Sequence, residues 1–146
     1  MSDAIRVGLV GYGYASKTFH APLISGTPGL ALTTVSSSDA AKVHADWPGA
    51  KVVSAAGELL NDPEIDLVVI ATPNDTHFPL AKAALEAGKH VVVDKPFTVT
   101  LSQARELESL AKHCGRVLSV FHNRRWDSDF LTVRTLIDEG LLGEVC

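Results

Sequence analysis

An apolar strand running without a break into a glycine-rich turn constrains this chain more than any other feature. Ile5-Arg6-Val7-Gly8-Leu9-Val10 leads directly into Gly11-Tyr12-Gly13-Tyr14-Ala15-Ser16. Gly11 lets the chain leave the strand tightly, and Gly13 lets bare backbone approach a pyrophosphate, whose charge is met by N–H groups at a helix N-terminus. Tyr14 and Ala15 carry the turn into that helix. Position 16, where a glycine or alanine is usual, is Ser16, small enough to keep strand and helix close. Loose GxGxxG patterns also occur in ordinary strand-to-helix turns, so the weight of this one comes from its place at the start of a βαβ-like segment.

Downstream, short β-rich runs alternate with helical patterns, uninterrupted by a repeat, a low-complexity tract or a long linker. This alternation predicts an α/β fold, a doubly wound parallel Rossmann sheet with helices on both faces. Ala15, Phe19 and Leu23 recur at helical spacing, and that helix stops near Gly26-Thr27-Pro28-Gly29. Leu30 to Ser36 reads as the second strand, Asp39 as the cap of a short helix reaching about Ala45, and Lys51 to Ser54 as the third strand. Asp66 to Ala71 is nearly all apolar, as a central parallel strand covered on both faces requires. A helix over Thr76 to Ala87, closed by Gly88, leads to the strand His90 to Asp94. Ser102 then caps a helix with Ala104, Leu107, Leu110 and Ala111 on one face, before the strand Val117 to Phe121 and a helix from about Asp127 to Glu139. Trp126 and Phe130 read as packing residues of that last helix. In such folds the usual strand order is 3-2-1-4-5-6, with ligands at the carboxyl ends of the strands.

Composition narrows the function. The 13 basic and 17 acidic residues give a formal charge of −4 with no Lys/Arg run, which argues against nucleic acid as a partner. Cys114 and Cys146 are far apart and lack a metal-ligand pattern, so neither a disulfide framework nor a metal site is expected and a reducing cytoplasm fits. Neither a signal peptide nor a membrane span is expected.

Three segments at predicted strand ends carry the functional candidates. Thr72-Pro73-Asn74-Asp75-Thr76-His77 follows the fourth strand, Asp94-Lys95-Pro96-Phe97 the fifth, and His122-Asn123-Arg124-Arg125-Trp126 the sixth. All three can line one crevice. Together with the glycine turn they resemble the cofactor domain of the glucose-fructose oxidoreductase, inositol dehydrogenase and MocA-type oxidoreductase family, over essentially the whole chain. The carrying motifs are Ala71-Thr72-Pro73 with His77, and Gly88-Lys89-His90-Val91-Val92-Val93-Asp94-Lys95-Pro96, where the family commonly has Glu-Lys-Pro. The segment His122 to Asp127 looks like the branch with NADP-dependent scyllo-inositol dehydrogenases.

That resemblance implies reversible oxidation of a secondary alcohol on a sugar or polyol, with hydride passing to or from nicotinamide. It makes Lys95 the catalytic candidate: an ammonium donates a hydrogen bond to a carbonyl oxygen during reduction, and a neutral amine accepts the hydroxyl proton during oxidation. Asp94 keeps the family's carboxylate with a shorter reach, beside the nicotinamide riboside or Lys95. Pro96 restricts the backbone, and in the family the Lys-Pro bond is typically cis. Thr72, Pro73 and Asn74 are expected to bound the nicotinamide riboside with His77 close by, although a capping or packing role suits His77 equally. Asn123 is expected to orient substrate or nicotinamide and Arg124 to meet a cofactor phosphate.

The choice between NADP and NAD turns on Ser36-Ser37-Ser38-Asp39. NAD-binding relatives commonly place an acid about 20 residues after the glycine turn, where it holds the ribose hydroxyls and repels a 2′-phosphate. Ser37 stands there in this chain, and hydroxyls donate to phosphate without opposing its charge. NADP is therefore preferred, with Lys42 or a distant arginine supplying positive charge; Asp39 reaching the ribose is the NAD alternative.

Leu141-Leu142-Gly143-Glu144-Val145-Cys146 reads as entry into a next strand. Family members continue into a larger, mostly antiparallel substrate domain, so residues 1–146 are expected to be an NAD(P)-binding Rossmann domain without it. Such a chain would bind cofactor with little turnover and would self-associate through uncovered apolar surface into a homo-oligomer. A noncatalytic NAD(P)-binding, redox-sensing module is the alternative.

Overall fold

In the computed structural model, which describes residues 4–144, the strands form one parallel sheet. They are β1 (Ile5–Val10), β2 (Leu30–Ser36), β3 (Lys51–Val53), β4 (Leu67–Ile70), β5 (His90–Val93) and β6 (Leu118–Val120). The order β3-β2-β1-β4-β5-β6 is the expected doubly wound one, and every strand pair is parallel. Its reversal between β1 and β4 opens the carboxyl edge to a ligand.

The near-continuous apolar strands are explained by cover on both faces. Alternate side chains of a strand point to opposite sides, so β4 sends Val68 and Ile70 into one core and Val69 into the other. The first core also holds Leu59, Leu60, Leu85 and Leu107 from the helices α3 (Ala56–Leu60), α4 (Asn74–Glu86) and α5 (Leu101–Cys114). On the opposite face Val7, Leu9 and Val35 pack with Ala21 and Ile24 of α1 (Ala21–Gly26) and Val43 of α2 (Ala40–Asp46). Gly8 belongs to the α3 side of β1. A Cβ there would lie 2.6 Å from Leu59 Cδ2, so the missing side chain is what lets α3 close on the sheet.

Several local expectations are corrected. The glycine turn enters a π-helical segment, Ser16–His20, that continues into α1. Ser16, His20, Ala21 and Ile24 are buried, whereas Leu23 of the expected apolar face is 54% exposed. The buried set Ser16, His20 and Ile24 has the same four-residue spacing one position later, and apolar periodicity misses it because Ser16 and His20 are polar. Thr100, and not Ser102, caps α5: its side chain accepts from Gln103 N, while Gln103 Oε1 accepts from Thr100 N, a reciprocal capping box. Helix α4 starts at Asn74, two residues ahead of expectation. The last helix, α6 (Ser128–Asp138), buries no residue, and Trp126 (78%) and Phe130 (42%) are exposed and not packed. Residues 141–144 form a turn and its exit without a strand, and Val145 and Cys146 lie outside the described residues. No helix among the described residues is long and apolar enough to cross a membrane.

At the opposite edge of the sheet, Arg6 and Asp66 tie β1 to the entry of β4. Asp66 Oδ2 accepts from Arg6 N at 2.9 Å and Nε at 3.0 Å, and Oδ1 accepts from Nη2 at 2.9 Å. The hydrogen bonds from Arg6 lower the Asp66 carboxyl to about 2. A lowered folded-state value means that this stabilisation is complete above the ordinary carboxylate range and is lost as pH falls through about 2. Both side chains are 38% exposed, and solvent screening limits the effect. Asp66→Asn is expected to lower stability at neutral pH by ~1 kcal/mol or less, and urea melts should show the difference from the unsubstituted chain vanish in strong acid.

Candidate functional site

Two adjoining clefts occupy the carboxyl edge of the sheet. The larger, about 510 Å³, is lined by Gly11 and Gly13 after β1, Ser36, Ser37 and Ser38 at the end of β2, and Thr72 and Pro73 after β4. The smaller, about 270 Å³, is lined by Tyr14 and Ala15, by Asp94 and Lys95 after β5, and by Asn123 and Arg124 after β6. The glycine turn joins them, since Gly13 faces one and Tyr14 the other.

Gly11 and Gly13 do different things in that turn. Gly11 has φ +88°, and a Cβ there would sit 2.8 Å from the Ala71 carbonyl oxygen. Only glycine suits both the torsion and the space. Around Gly13, no atom lies within 4 Å of the Cβ position, so its backbone faces open cleft. The helix starts at once, with Lys17 N–H donating to Gly13 O at 3.0 Å. Open backbone at a helix start is the geometry that accepts a pyrophosphate.

The serine-lined end is the polar end. Asp39 Oδ1 accepts from Lys42 N at 2.9 Å and thereby caps α2, as its position predicted, while Ser37 Oγ accepts from Asp39 N at 3.1 Å. Lys42, one turn into α2, leans back over the glycine turn: its Nζ donates to Tyr12 O at 3.1 Å and lines the larger cleft. Buried Tyr12 fixes this arrangement by donating its hydroxyl to Asp46 Oδ2 at 2.9 Å, and Lys17 Nζ lies 2.8 Å from the same oxygen. Burial first, and the hydrogen bond to Asp46 second, push the Tyr12 phenol up to about 12, so it remains a donor at neutral pH.

At the other end, Lys95 and Pro96 are joined by a cis peptide bond. Asp94 Oδ1 accepts from Lys95 N at 2.7 Å, which sets the strand exit. Asn123 begins a 3-10 turn, Asn123–Trp126, and Arg124 Nη1 donates to Asp127 Oδ2 at 2.6 Å, a pairing that raises the arginine further above its ordinary range.

Three expected site residues stand apart from both clefts. Asn74 is exposed in the first turn of α4, and Pro96 is exposed beyond Lys95. His77 is fully buried, with Nδ1 2.8 Å from Pro96 O and Nε2 2.9 Å from Thr72 O. Its ring therefore bridges the β4 and β5 exits, the packing role weighed for it. Thr76 was missed as a lining residue; it joins the larger cleft and pairs with Thr72 through their hydroxyl oxygens at 2.6 Å. Phe19 and Phe121, also missed, add apolar wall beside Lys95. Strand-end placement was the available signal for Phe121, and Phe19 was visible as a member of the apolar helical set that starts at Ala15.

A glycine turn with open backbone, a hydroxyl-and-lysine end and a second end with lysine and carboxylate, all at a switch point of the sheet, define a dinucleotide-binding Rossmann domain. The chain belongs to the oxidoreductase family with an NAD-binding Rossmann fold, whose model matches residues 5–122. It is 78% identical over 145 residues to the uncharacterized oxidoreductase YdgJ of Escherichia coli, covering 99% of this chain and 42% of that protein. It is 42% identical to the NADP(+) scyllo-inositol 2-dehydrogenase IolW of Bacillus subtilis, covering 98% of this chain and 40% of that protein. The solved structure of the YPO2259 protein of Yersinia pestis superposes with a TM-score of 0.94 at 73% identity, covering 99% of this chain and 42% of that one. The chain thus spans about two fifths of the length of these relatives.

Proposed function

We propose that residues 1–146 are the dinucleotide-binding domain of an oxidoreductase that moves hydride between NADP and a secondary alcohol of a sugar or polyol, inositol-like in class. The observation that carries this reading is the gathering of Tyr14, Ala15, Asp94, Lys95, Asn123 and Arg124 around one cleft that continues into the glycine turn. When bound, the nicotinamide supplies a carbon that accepts or donates hydride. Lys95 exchanges a proton with the substrate oxygen at Nζ, and the Asp94 carboxylate, by accepting the Lys95 amide, orients the backbone that carries it. Phe19 and Phe121 help exclude water from that end. The branch resemblance of the His122 to Asp127 segment and the name of the Bacillus subtilis relative support the polyol class.

Two contacts support NADP over NAD. Asp39 uses its carboxylate to cap α2, and Lys42 brings an ammonium to the cleft that Ser37 and Ser38 line. A 2′-phosphate there would gain a charge-assisted hydrogen bond. Parallel titrations of the chain with NADPH and NADH, followed by nucleotide fluorescence and calorimetry, are expected to show tighter NADPH binding. Lys42→Ala should weaken NADPH by ~10-fold or more and leave NADH within about twofold, as loss of one hydrogen bond to a charged group predicts. Preference for NADH by the unsubstituted chain would assign the ribose to Asp39 and overturn the NADP choice.

A further inference from the structure

Among the residues behind the smaller cleft, His20 stands out by burial and by what it faces. It is 3% exposed at the end of the π segment, and its ring centroid lies 4.3 Å from that of Phe121, at 48° between planes. Nε2 is 3.5 Å from Asp94 Oδ2. That separation is slightly too long for a hydrogen bond, and among the described residues this buried nitrogen has no hydrogen-bond partner. The carboxylate it faces is already engaged on its other oxygen by Lys95 N. His20 therefore joins three separate elements: the helix after the glycine turn, the β5 exit that carries Lys95, and Phe121 at the β6 exit.

Local geometry explains how a polar ring reached this place. The π segment widens the helix by one residue per turn and turns Ser16 and His20 inward together, toward the sheet. Burial lowers the imidazole below its ordinary value, with Asp94 acting in the opposite direction. A neutral ring with its hydrogen on Nε2 aims a donor at Asp94 Oδ2 from 3.5 Å and leaves the carboxylate's charge in the cleft, a donor within reach that an apolar side chain of this size would not offer.

We propose that His20 is a positioning residue for the Asp94–Lys95 pair: Nε2–H, 3.5 Å from Asp94 Oδ2, closes onto that oxygen as ligand enters and so fixes the nicotinamide end of the cleft. The proposal rests on the dinucleotide reading. It predicts a defect confined to one half of the ligand. Loss of the donor should weaken NADPH, which on the dinucleotide reading would span both clefts, and spare 2′,5′-ADP, which would stay within the larger cleft of the serines and the glycine turn.

The test measures both ligands by calorimetry on the chain and on His20→Ala, His20→Gln, Asp94→Ala and the His20→Ala/Asp94→Ala double variant, with thermal melts alongside. His20→Ala is expected to raise the NADPH dissociation constant about 10-fold, the scale of a hydrogen bond to a charged group, with 2′,5′-ADP within about twofold. His20→Gln, which can present an amide N–H near the Nε2 position, should recover most of that loss. In the Asp94→Ala background, His20→Ala should add nothing further, because the two residues act as one unit. Equal NADPH binding by His20→Ala and the unsubstituted chain, additive losses in the double variant, or parallel loss of 2′,5′-ADP in the melt-competent His20→Gln chain would each overturn the proposal. Failure of the unsubstituted chain to bind either nucleotide would instead overturn the dinucleotide reading, and the role of His20 with it.

Discussion

Replacing Lys95 by methionine is expected to abolish most alcohol oxidation while leaving the nucleotide in place. Methionine keeps the unbranched stem and removes only the group that can exchange a proton. Lys95 is exposed at the exit of β5 and lines the smaller cleft with Asp94, Asn123 and Phe121, so its loss leaves no core cavity. A positioned proton donor or acceptor contributes roughly 10²- to 10⁴-fold in rate. The loss should fall on kcat and spare NADPH affinity to within about 10-fold, because the glycine turn and the serine-and-lysine end proposed to hold the nucleotide lie in the other cleft. A suitable enzyme is a fusion of this chain to the part of the 78%-identical Escherichia coli relative that it does not cover, assayed against a panel of polyols with NADP. Equal turnover by the fusion and its Lys95→Met variant would remove Lys95 from the chemistry. A fusion that binds NADPH and oxidises no polyol would leave the dinucleotide site standing and refute the substrate class.

The sequence made the sheet legible because each central strand is covered twice. An uninterrupted run such as Leu67-Val68-Val69-Ile70 has few alternatives to a buried parallel strand, and it pairs with β1 and β5 as a central strand must. The placement of the candidate residues was legible for the same reason: once the strands are placed, Thr72, Lys95 and Asn123 fall on one edge. What failed was whatever depended on local helix geometry. The first helix buries Ser16 and His20, one position along from Ala15 and Phe19, and a search for apolar periodicity passes over them because they are polar. His77 could not be assigned from its place at a helix start, since its two carbonyl partners come from the β4 exit and from Pro96, far apart in the chain. Lys42 was visible as a charge, but its role depends on α2 folding back over Tyr12, a tertiary arrangement. The cap at Thr100 was readable in principle, because Thr100 and Gln103 have capping-box spacing, and Ser102 masked it.

The two glycines of the turn should separate folding from binding when each is changed to alanine. At Gly11 the obstacles are internal. Its φ of +88° disfavours any side chain, and the added methyl would press on Ala71 O at 2.8 Å and Thr72 Cγ2 at 3.1 Å. Neither neighbour can yield easily: Gly11 N donates to Ser36 O at 2.9 Å, Ala71 N to Val10 O at 3.1 Å, and Thr72 is paired with Thr76. Torsional strain and overpacking of this kind cost about 2–4 kcal/mol together, which for a chain of this size lowers the melting temperature by roughly 10 °C. Gly13→Ala meets none of this, because Gly13 has no positive φ and no atom lies within 4 Å of the new methyl. Its stability should stay within about 0.5 kcal/mol. Yet on the proposed dinucleotide reading that methyl would project into the space the pyrophosphate takes against bare backbone, so NADPH affinity should fall by about 10-fold or more, the scale of one lost hydrogen bond to a charged group. Calorimetric titration beside a thermal melt reads both quantities on the same samples. A Gly13→Ala chain that melts normally and binds NADPH undiminished would mean that the pyrophosphate does not pass over this turn. Undiminished stability in Gly11→Ala would mean that the β1 exit can relax away from β4, contrary to the hydrogen bonds that clamp it.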